Sequence, residues 1–485
     1  MPDQFSQSKN VKVVVHALQA RIWYGDGRID LKKRKTTMCG IFGVIGSNNA
    51  ASLTIAGLHT LQHRAHDYAG IVTVNTDQKF VRRRGAGLIT KVVRPQDLAK
   101  LQGTQALGHV RYPTVADDDH DDEVVNIQPL KGPFGEGQIA IAHNGNLTQL
   151  DSLHEFVSPA RLSTSLDTEF ILRLLGASDC TNIVDALKNA LTKLSGSFAL
   201  GLLTEKYLIA ARDPAGNRPL SIGKLPGGGY CITSETCALP NVGATFEMDV
   251  APGTIVIIDA AGYEMIQFAE SKTLRKCRFE AVYQGSPASR IFGEDVDEQR
   301  IQIGRLLAAE APVADADFVV PVPDSSNFTA IGFDQENPSG TFRPVILRNH
   351  YVGRTFIEPT QELRDTGVAR KFLFTAEAIK GARIVLVDDS IVRGTTIMKI
   401  VGRLNALGAR EVHVRIGFPP IRHPCRYGVD IRTEGELIIN RMSVEELQTH
   451  IGADSLAFLS EAVLYSLSEH PQDFCYACIT GDYWD

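Results

Sequence analysis

The sequence predicts two successive folded regions, a strand-rich α+β part followed by an α/β part built on a parallel sheet. From Cys39 to about residue 270, short apolar runs bounded by turn residues recur, as packed sheets require. Beyond a polar, charged stretch around Phe268–Lys276, the pattern changes to alternating strand and helix. A third observation marks the centre of the second part. Ile384–Val387 reads as a buried strand, Asp388 and Asp389 stand at its C-terminal end, and a turn of hydroxyl, Gly and Arg residues precedes a helical run (Ile397, Ile400, Val401, Leu404, Leu407).

The bulk properties bound the rest. A chain of 485 residues suggests two or more domains, and 44% hydrophobic with 22% charged residues is an ordinary globular balance. A net charge of -6 argues against a general nucleic-acid or anionic-membrane binder. No apolar run approaches the roughly 18 residues of a membrane span. Met1–Asn10 is polar and lacks the apolar core of a secretory signal, so a cytoplasmic protein is expected. In such a chain the eight cysteines are reduced, catalytic or metal-bound rather than disulfide-paired.

In chain order, residues 1–38 differ from the rest of the chain, with an apolar run at Val13–Val15, basic residues at Lys32–Lys35 and then Thr36–Thr37–Met38. Strands are predicted at Gly40–Ile45, Ile71–Val74, Leu107–Val110, Ile139–Ala142, Phe198–Leu203 and Thr254–Ile258. Helices are predicted near Ala51–Gln62, Asp167–Leu175 and Ile183–Leu194. Further strands are predicted at Phe318–Pro321, Ile384–Val387 and Val412–Ile416. The domain reading is a leader over 1–38, one domain over 39–270 and a second over 271–485.

Chemistry concentrates in five segments of the first domain. They are Cys39–Gly40–Ile41–Phe42–Gly43, the His63–Arg64 segment, Gly108–His109–Val110–Arg111–Tyr112–Pro113–Thr114, Ala142–His143–Asn144–Gly145–Asn146 and Thr164–Ser165–Leu166–Asp167–Thr168–Glu169. Singly, Arg111, Asn144 and Asp167 read equally as an ion pair, a turn and a helix cap. Together the set resembles the class II glutamine amidotransferase domain, an N-terminal-nucleophile hydrolase of αββα architecture. That resemblance implies that the Cys39 thiolate attacks the carboxamide of glutamine with its own α-amine, of pKa roughly 8, as base. It implies Asn144 and the Gly145 N–H as the oxyanion hole, Arg111 on the substrate carboxylate, Asp167 on its ammonium and Arg64 as a further glutamine contact. The mechanism needs Cys39 at the N-terminus. Residues 1–38 are then a removed propeptide, or translation starts at Met38 and the Met is removed, or the leader stays and hydrolysis is lost. Two departures bear on the pocket: Ala65–His66 replaces Gly-Gln, and an acidic run spans Asp117–Glu123.

In the second domain, the backbone N–H groups of the 388–396 turn and the following helix face an anion, and Ser390, Thr395 and Thr396 add hydroxyl donors. Asp388 and Asp389 can accept hydrogen bonds from two vicinal hydroxyls, directly or through hydrated Mg²⁺. The segment resembles the phosphoribosyl pyrophosphate (PRPP) signature of the type I phosphoribosyltransferases. The resemblance implies PRPP contacts at Asp388, Asp389, Ser390, Arg393, Gly394, Thr395 and Thr396, with Ser326, Asp388 and Asp389 at the Mg²⁺. Val319–Ser326, Arg348–Phe356 and Gly417–Pro420 extend the likeness, and residues 39–485 are similar to the glutamine PRPP amidotransferase family. Arg354 and Thr355 then belong to a loop that closes over PRPP and contacts pyrophosphate.

Cys277, Cys425, Cys475 and Cys478 stand in contexts that resemble the ligand sites of that family's iron–sulfur branch, which implies a structural [4Fe–4S] cluster; a Zn–Cys₄ site is the chemical alternative. Cys180, Cys231 and Cys237 read as packing residues. The same branch carries a propeptide. The family relationship implies transfer of glutamine nitrogen to PRPP, giving 5-phosphoribosylamine, glutamate and pyrophosphate, with purine nucleotides as inhibitors and a homo-oligomeric state. The changed segment Gln284–Ser289, with Arg348 and His350 in place of the usual Lys and Arg, keeps open a paralogue that binds PRPP or nucleotide without full catalysis. A phosphoribosyltransferase with another acceptor is a third reading.

Overall fold

In the computed structural model the described residues are 38–112, 125–271, 273–350, 371–431 and 433–484. The acidic run 117–123, Arg354, Thr355 and residues 1–37 of the leader lie outside them.

The first part stacks two antiparallel sheets. The apolar run at Cys39–Ile45 is central in a seven-stranded sheet, hydrogen-bonded to Tyr230–Thr233 on one side and Gln105–Arg111 on the other. The second sheet has six strands, with Gly137–Thr148 paired to Ser195–Leu203. Strands apolar on both faces need cover on both faces. Between the sheets lies a core of Ile41, Val72, Leu107, Ala142, Ala199 and Ile232. Outside one sheet packs the helix Ala50–Thr60, and outside the other pack Thr168–Gly176 and Ile183–Leu191. This is the αββα layering the motifs implied. Leu61 and Gln62, expected at the end of the first helix, belong to a separate 3₁₀ turn, Leu61–His63.

The second part centres on a four-stranded parallel sheet ordered Phe318–Pro321, Arg383–Asp388, Glu411–Ile416 and Ser455–Phe458. Val385 and Val387 face one core while Ile384 and Leu386 face the other, so the whole apolar run is buried by period-2 alternation. Among the described residues no helix is long and apolar enough to cross a membrane.

Candidate active sites

Strand pairing assembles the first site. Cys39 lies opposite Arg111 in register and is fully buried. Asn144 and Gly145 sit on the second sheet, opposite Ala199 and Phe198. Behind them, His109 Nε2 from the first sheet meets the His143 carbonyl of the second at 3.1 Å. Burial lowers the His109 pKa to about 3, so this imidazole is neutral and ties the two sheets together.

Asn144 Nδ2 is buried with no hydrogen-bond partner among the described residues. An orphan buried amide donor costs free energy unless an acceptor arrives. Gly145 sits at φ +148°, and a β-carbon there would stand 2.2 Å from the Ser197 carbonyl oxygen, so only glycine fits. Asp167 begins the helix Thr168–Gly176 and accepts from Thr168 N–H at 2.7 Å and Leu147 N–H at 2.8 Å. Burial would raise its pKa, but His143 and these N–H groups hold it down to about 2, so the carboxylate is ionised. Arg111 Nη1 donates to the Asn126 carbonyl at 2.9 Å.

Arg64, expected on glutamine, directs its donors to protein groups instead. Nε donates to the Cys39 carbonyl at 2.7 Å, Nη1 to Glu235 at 2.5 Å and to Glu280 at 2.9 Å, and Nη2 to Glu280 at 2.9 Å. Glu280 also accepts from Arg218 at 2.8 Å, and all four side chains are buried. Burial would raise the pKa of both carboxylates; the adjoining cations, Arg64 with His63 at Glu235 and Arg64 with Arg218 at Glu280, hold both below the usual range instead. Arg64 thereby positions the nucleophile's strand. Removing one member of a buried ion network leaves uncompensated charge, which costs about 3–5 kcal/mol. Arg64→Met is therefore expected to lower unfolding free energy by roughly that amount in denaturant titrations, and Arg64→Met/Glu280→Gln to recover part of it.

The segment 284–289 joins this network. Gln284 Oε1 accepts from Arg218 at 3.0 Å, Ser286 N–H and Ser289 Oγ donate to Glu235 at 2.8 and 2.7 Å, and Arg300 donates to the Ala281 and Gly285 carbonyls. Gln284, Ser286 and Ser289 of the changed segment thus find polar partners in this network. Sequence reasoning missed Glu235, Glu280, Arg218 and His109; their partners lie far off in the chain.

The second site forms where the central parallel strand ends. Asp388 and Asp389 are buried. Ser326 Oγ donates to Asp388 at 3.0 Å, while Ser325 Oγ and Ser390 Oγ donate to Asp389 at 2.5 and 2.8 Å. Burial, and for Asp388 the neighbouring carboxylate, raise both pKa values, Asp388 well above the usual range. Gly394 takes φ +74° at the start of the helix Thr395–Ala406, where a β-carbon would meet Ile438 at 2.8 Å. Thr395 and Thr396 lie on the first turn of that helix, both exposed. Arg393 pairs with Glu436.

Cys277, Cys425, Cys475 and Cys478 line one small cavity. Cys277 and Cys475 are neighbours on paired parallel strands, and Cys425 Sγ accepts N–H groups of Tyr427 and Val429 at 3.4 Å. Burial raises the thiol pKa of Cys277 to about 11, and raises those of Cys475 and Cys478 well above the usual thiol range. Among the described residues no three His, Cys, Asp or Glu side chains are placed to hold a metal ion.

Two sandwiched antiparallel sheets carrying a buried cysteine and an orphan amide donor define a glutamine amidotransferase, and a profile described as a glutamine amidotransferase domain matches residues 117–241. Over nearly the whole chain the likeness is more particular. It is 42% identical over 457 residues to amidophosphoribosyltransferase 2, chloroplastic, of Arabidopsis thaliana, covering 94% of this chain and 80% of that one. It is 42% identical over 453 residues to amidophosphoribosyltransferase of Bacillus subtilis, covering 92% and 94%. A solved glutamine PRPP amidotransferase from B. subtilis, described as complexed with ADP and GMP, superposes with TM-score 0.84 at 41% identity, covering 92% of this chain and 97% of that one. The chain belongs to the amidophosphoribosyltransferase family.

Proposed function

We propose that residues 39–270 release ammonia from glutamine and residues 271–485 add it to PRPP, giving 5-phosphoribosylamine, glutamate and pyrophosphate, the first step of purine synthesis. The orphan Asn144 amide carries the first half of this reading. The Cys39 sulfur bonds to the carboxamide carbon, and its α-amine takes the thiol proton. The tetrahedral oxyanion then accepts from Asn144 Nδ2 and the Gly145 N–H. Collapse expels ammonia, leaving a thioester that water cleaves to glutamate. Ionised Asp167 suits the α-ammonium and Arg111 the α-carboxylate.

Ammonia then attacks the anomeric carbon and pyrophosphate leaves. Asp388 and Asp389, steered by three serine hydroxyls, face the ribose hydroxyls and, with Ser326, suit a hydrated Mg²⁺, which needs only one or two protein carboxylates beside substrate oxygens. Bound Mg²⁺ supplies charge neutralisation for the leaving pyrophosphate. The N-terminal turn of the Thr395–Ala406 helix receives the 5-phosphate. We assign Arg354 and Thr355 to the pyrophosphate by family resemblance.

The four thiols line one cavity, and we assign them to a structural [4Fe–4S] group by family resemblance, with a Zn–Cys₄ site as the chemical alternative. Such buried thiols need bound cations to ionise. Purine nucleotides are proposed inhibitors, because the B. subtilis relative was solved with ADP and GMP. A homo-oligomer and a cytoplasmic location are proposed with them, although the Arabidopsis relatives are named chloroplastic.

Catalysis by the Cys39 amine requires that nothing precede it, so residues 1–38 are proposed to be removed. Mass spectrometry of protein purified anaerobically from its native host is expected to give a chain beginning at Cys39. The same protein is expected to hydrolyse glutamine faster when PRPP is added, with glutamate and pyrophosphate formed one to one. An intact leader without PRPP-stimulated glutamine hydrolysis would favour an ammonia-dependent enzyme or a paralogue that binds PRPP or nucleotide without full catalysis.

A further inference from the structure

The loop after Cys425 leans on the strand that carries Asn144 and Gly145. Gly428 is buried at φ +105°, and a β-carbon there would stand 3.1 Å from both Cα and the carbonyl carbon of Gly145. Gly145 also abuts the Ser197 carbonyl, 2.2 Å from where its own β-carbon would stand. Gly145 therefore touches two backbones, with no room for its own β-carbon beside Ser197 and a tight fit for one on Gly428. Hydrogen bonds fasten the same junction. The Tyr427 carbonyl accepts from Ser197 Oγ at 2.7 Å and from Arg218 Nε and Nη2 at 3.0 and 2.7 Å. The Arg426 carbonyl accepts from Asn146 Nδ2 at 2.8 Å, and Ser197 Oγ accepts from the Asn146 N–H at 3.2 Å.

We infer that Gly428 is a positioning residue for glutamine hydrolysis: the cysteine-bearing loop of the C-terminal half sets where the 144–145 backbone stands, and so where the oxyanion donors point. This rests on the reading of Asn144 and Gly145 as that oxyanion hole. Oxyanion donors act only when they lie about 2.7–3.1 Å from the oxygen, and displacement of a reacting group by about 1 Å can cost a hundredfold. A methyl group at 3.1 Å requires Gly145 to give by a few tenths of an ångström, a smaller shift that acts on the donors of the oxyanion directly. The four-thiol region and the glutamine site thus share one backbone contact, and a disturbance at the former is felt first in hydrolysis, not in phosphoribosyl transfer.

The test is Gly428→Ala in the full-length protein, assayed with glutamine and separately with ammonia as nitrogen donor, with metal content measured per chain. The expected result is a glutamine-dependent kcat lowered about tenfold or more, glutamine KM changed less than about threefold, and ammonia-dependent rate and metal content preserved. Equal loss of both activities, or loss of neither, overturns the inference. Asn144→Ala is measured alongside. If it leaves hydrolysis intact, the oxyanion reading falls and the inference with it; if it impairs hydrolysis while Gly428→Ala does not, only the inference falls. Should Gly428→Ala not fold, Ser197→Ala replaces it, deleting the bond to Tyr427 without adding an atom. A selective fall in the glutamine-dependent rate then supports the inference, and unchanged rates overturn it.

Discussion

Replacing Asn144 with alanine is expected to lower glutamine hydrolysis by about 10²–10³-fold while ammonia-dependent synthesis proceeds at its usual rate. The expectation rests on an asymmetry in the resting site. Asn144 Nδ2 is buried and has no partner among the described residues, so the folded protein already bears the cost of desolvating that donor. The glutamine carbonyl oxygen recovers part of this on binding, and the full negative charge of the tetrahedral intermediate recovers more. The donor therefore stabilises the transition state beyond the ground state, and its loss appears in kcat with a modest change in KM. Alanine also removes an unsatisfied buried group, so the variant should unfold at the same or a slightly higher denaturant concentration. A fall in hydrolysis accompanied by an equal fall in ammonia-dependent synthesis would show that Asn144 holds the fold instead.

Sequence patterns are informative as far as they are local. The strand Arg383–Asp388 and its acidic end are legible because four apolar residues, two carboxylates and a hydroxyl-rich turn are contiguous, and the covering helices are implied by the alternation. The first candidate site is legible as short segments around Cys39, Arg111, Asn144 and Asp167; strand pairing puts Arg111 opposite Cys39, and Asp167 accepts from Leu147 N–H on the strand of Asn144. What contiguity cannot reveal is which acceptor a charged side chain finds. Arg64 sits 171 residues from Glu235 and 216 from Glu280, and nothing near it in the chain indicates that its guanidinium is consumed there. Arg393 likewise turns to Glu436, 43 residues on. The changed segment 284–289 reads, from sequence, only as a departure that keeps a paralogue open. Its replacements meet Arg218 and Glu235, partners visible only once both sheets and the C-terminal half are folded. The junction of Gly428 with Gly145 is hidden for the same reason, as a glycine's neighbour leaves no mark in sequence.

At the second site, Asp388→Asn is expected to do two opposite things: to reduce PRPP-dependent synthesis from either nitrogen donor by the order of a hundredfold or more, and to stabilise the free protein at neutral and alkaline pH. The first effect arises because an amide cannot serve as an anionic acceptor for ribose hydroxyls or hydrated Mg²⁺. The second comes from the sign of the pKa shift. Burial and the adjoining Asp389 raise the Asp388 pKa well above that of an unfolded aspartate. Between those two pKa values the folded state binds more protons than the unfolded state, so stability falls as pH rises through the window, and the full penalty is present above it. The substituted amide carries no ionisable proton and escapes that penalty, while keeping a carbonyl oxygen for the Ser326 hydroxyl, which donates at 3.0 Å in the parent. Thermal unfolding from pH 5 to pH 9 is the measurement. The parent should lose stability with rising pH more steeply than the variant, and Mg²⁺ with PRPP should stabilise the parent alone, because cation and sugar offset the paired charge. A variant less stable than the parent at pH 8, with activity retained, would mean that Asp388 is a structural cap at the end of a strand; the opposite pattern is that of a carboxylate pair kept under electrostatic strain until its substrate arrives.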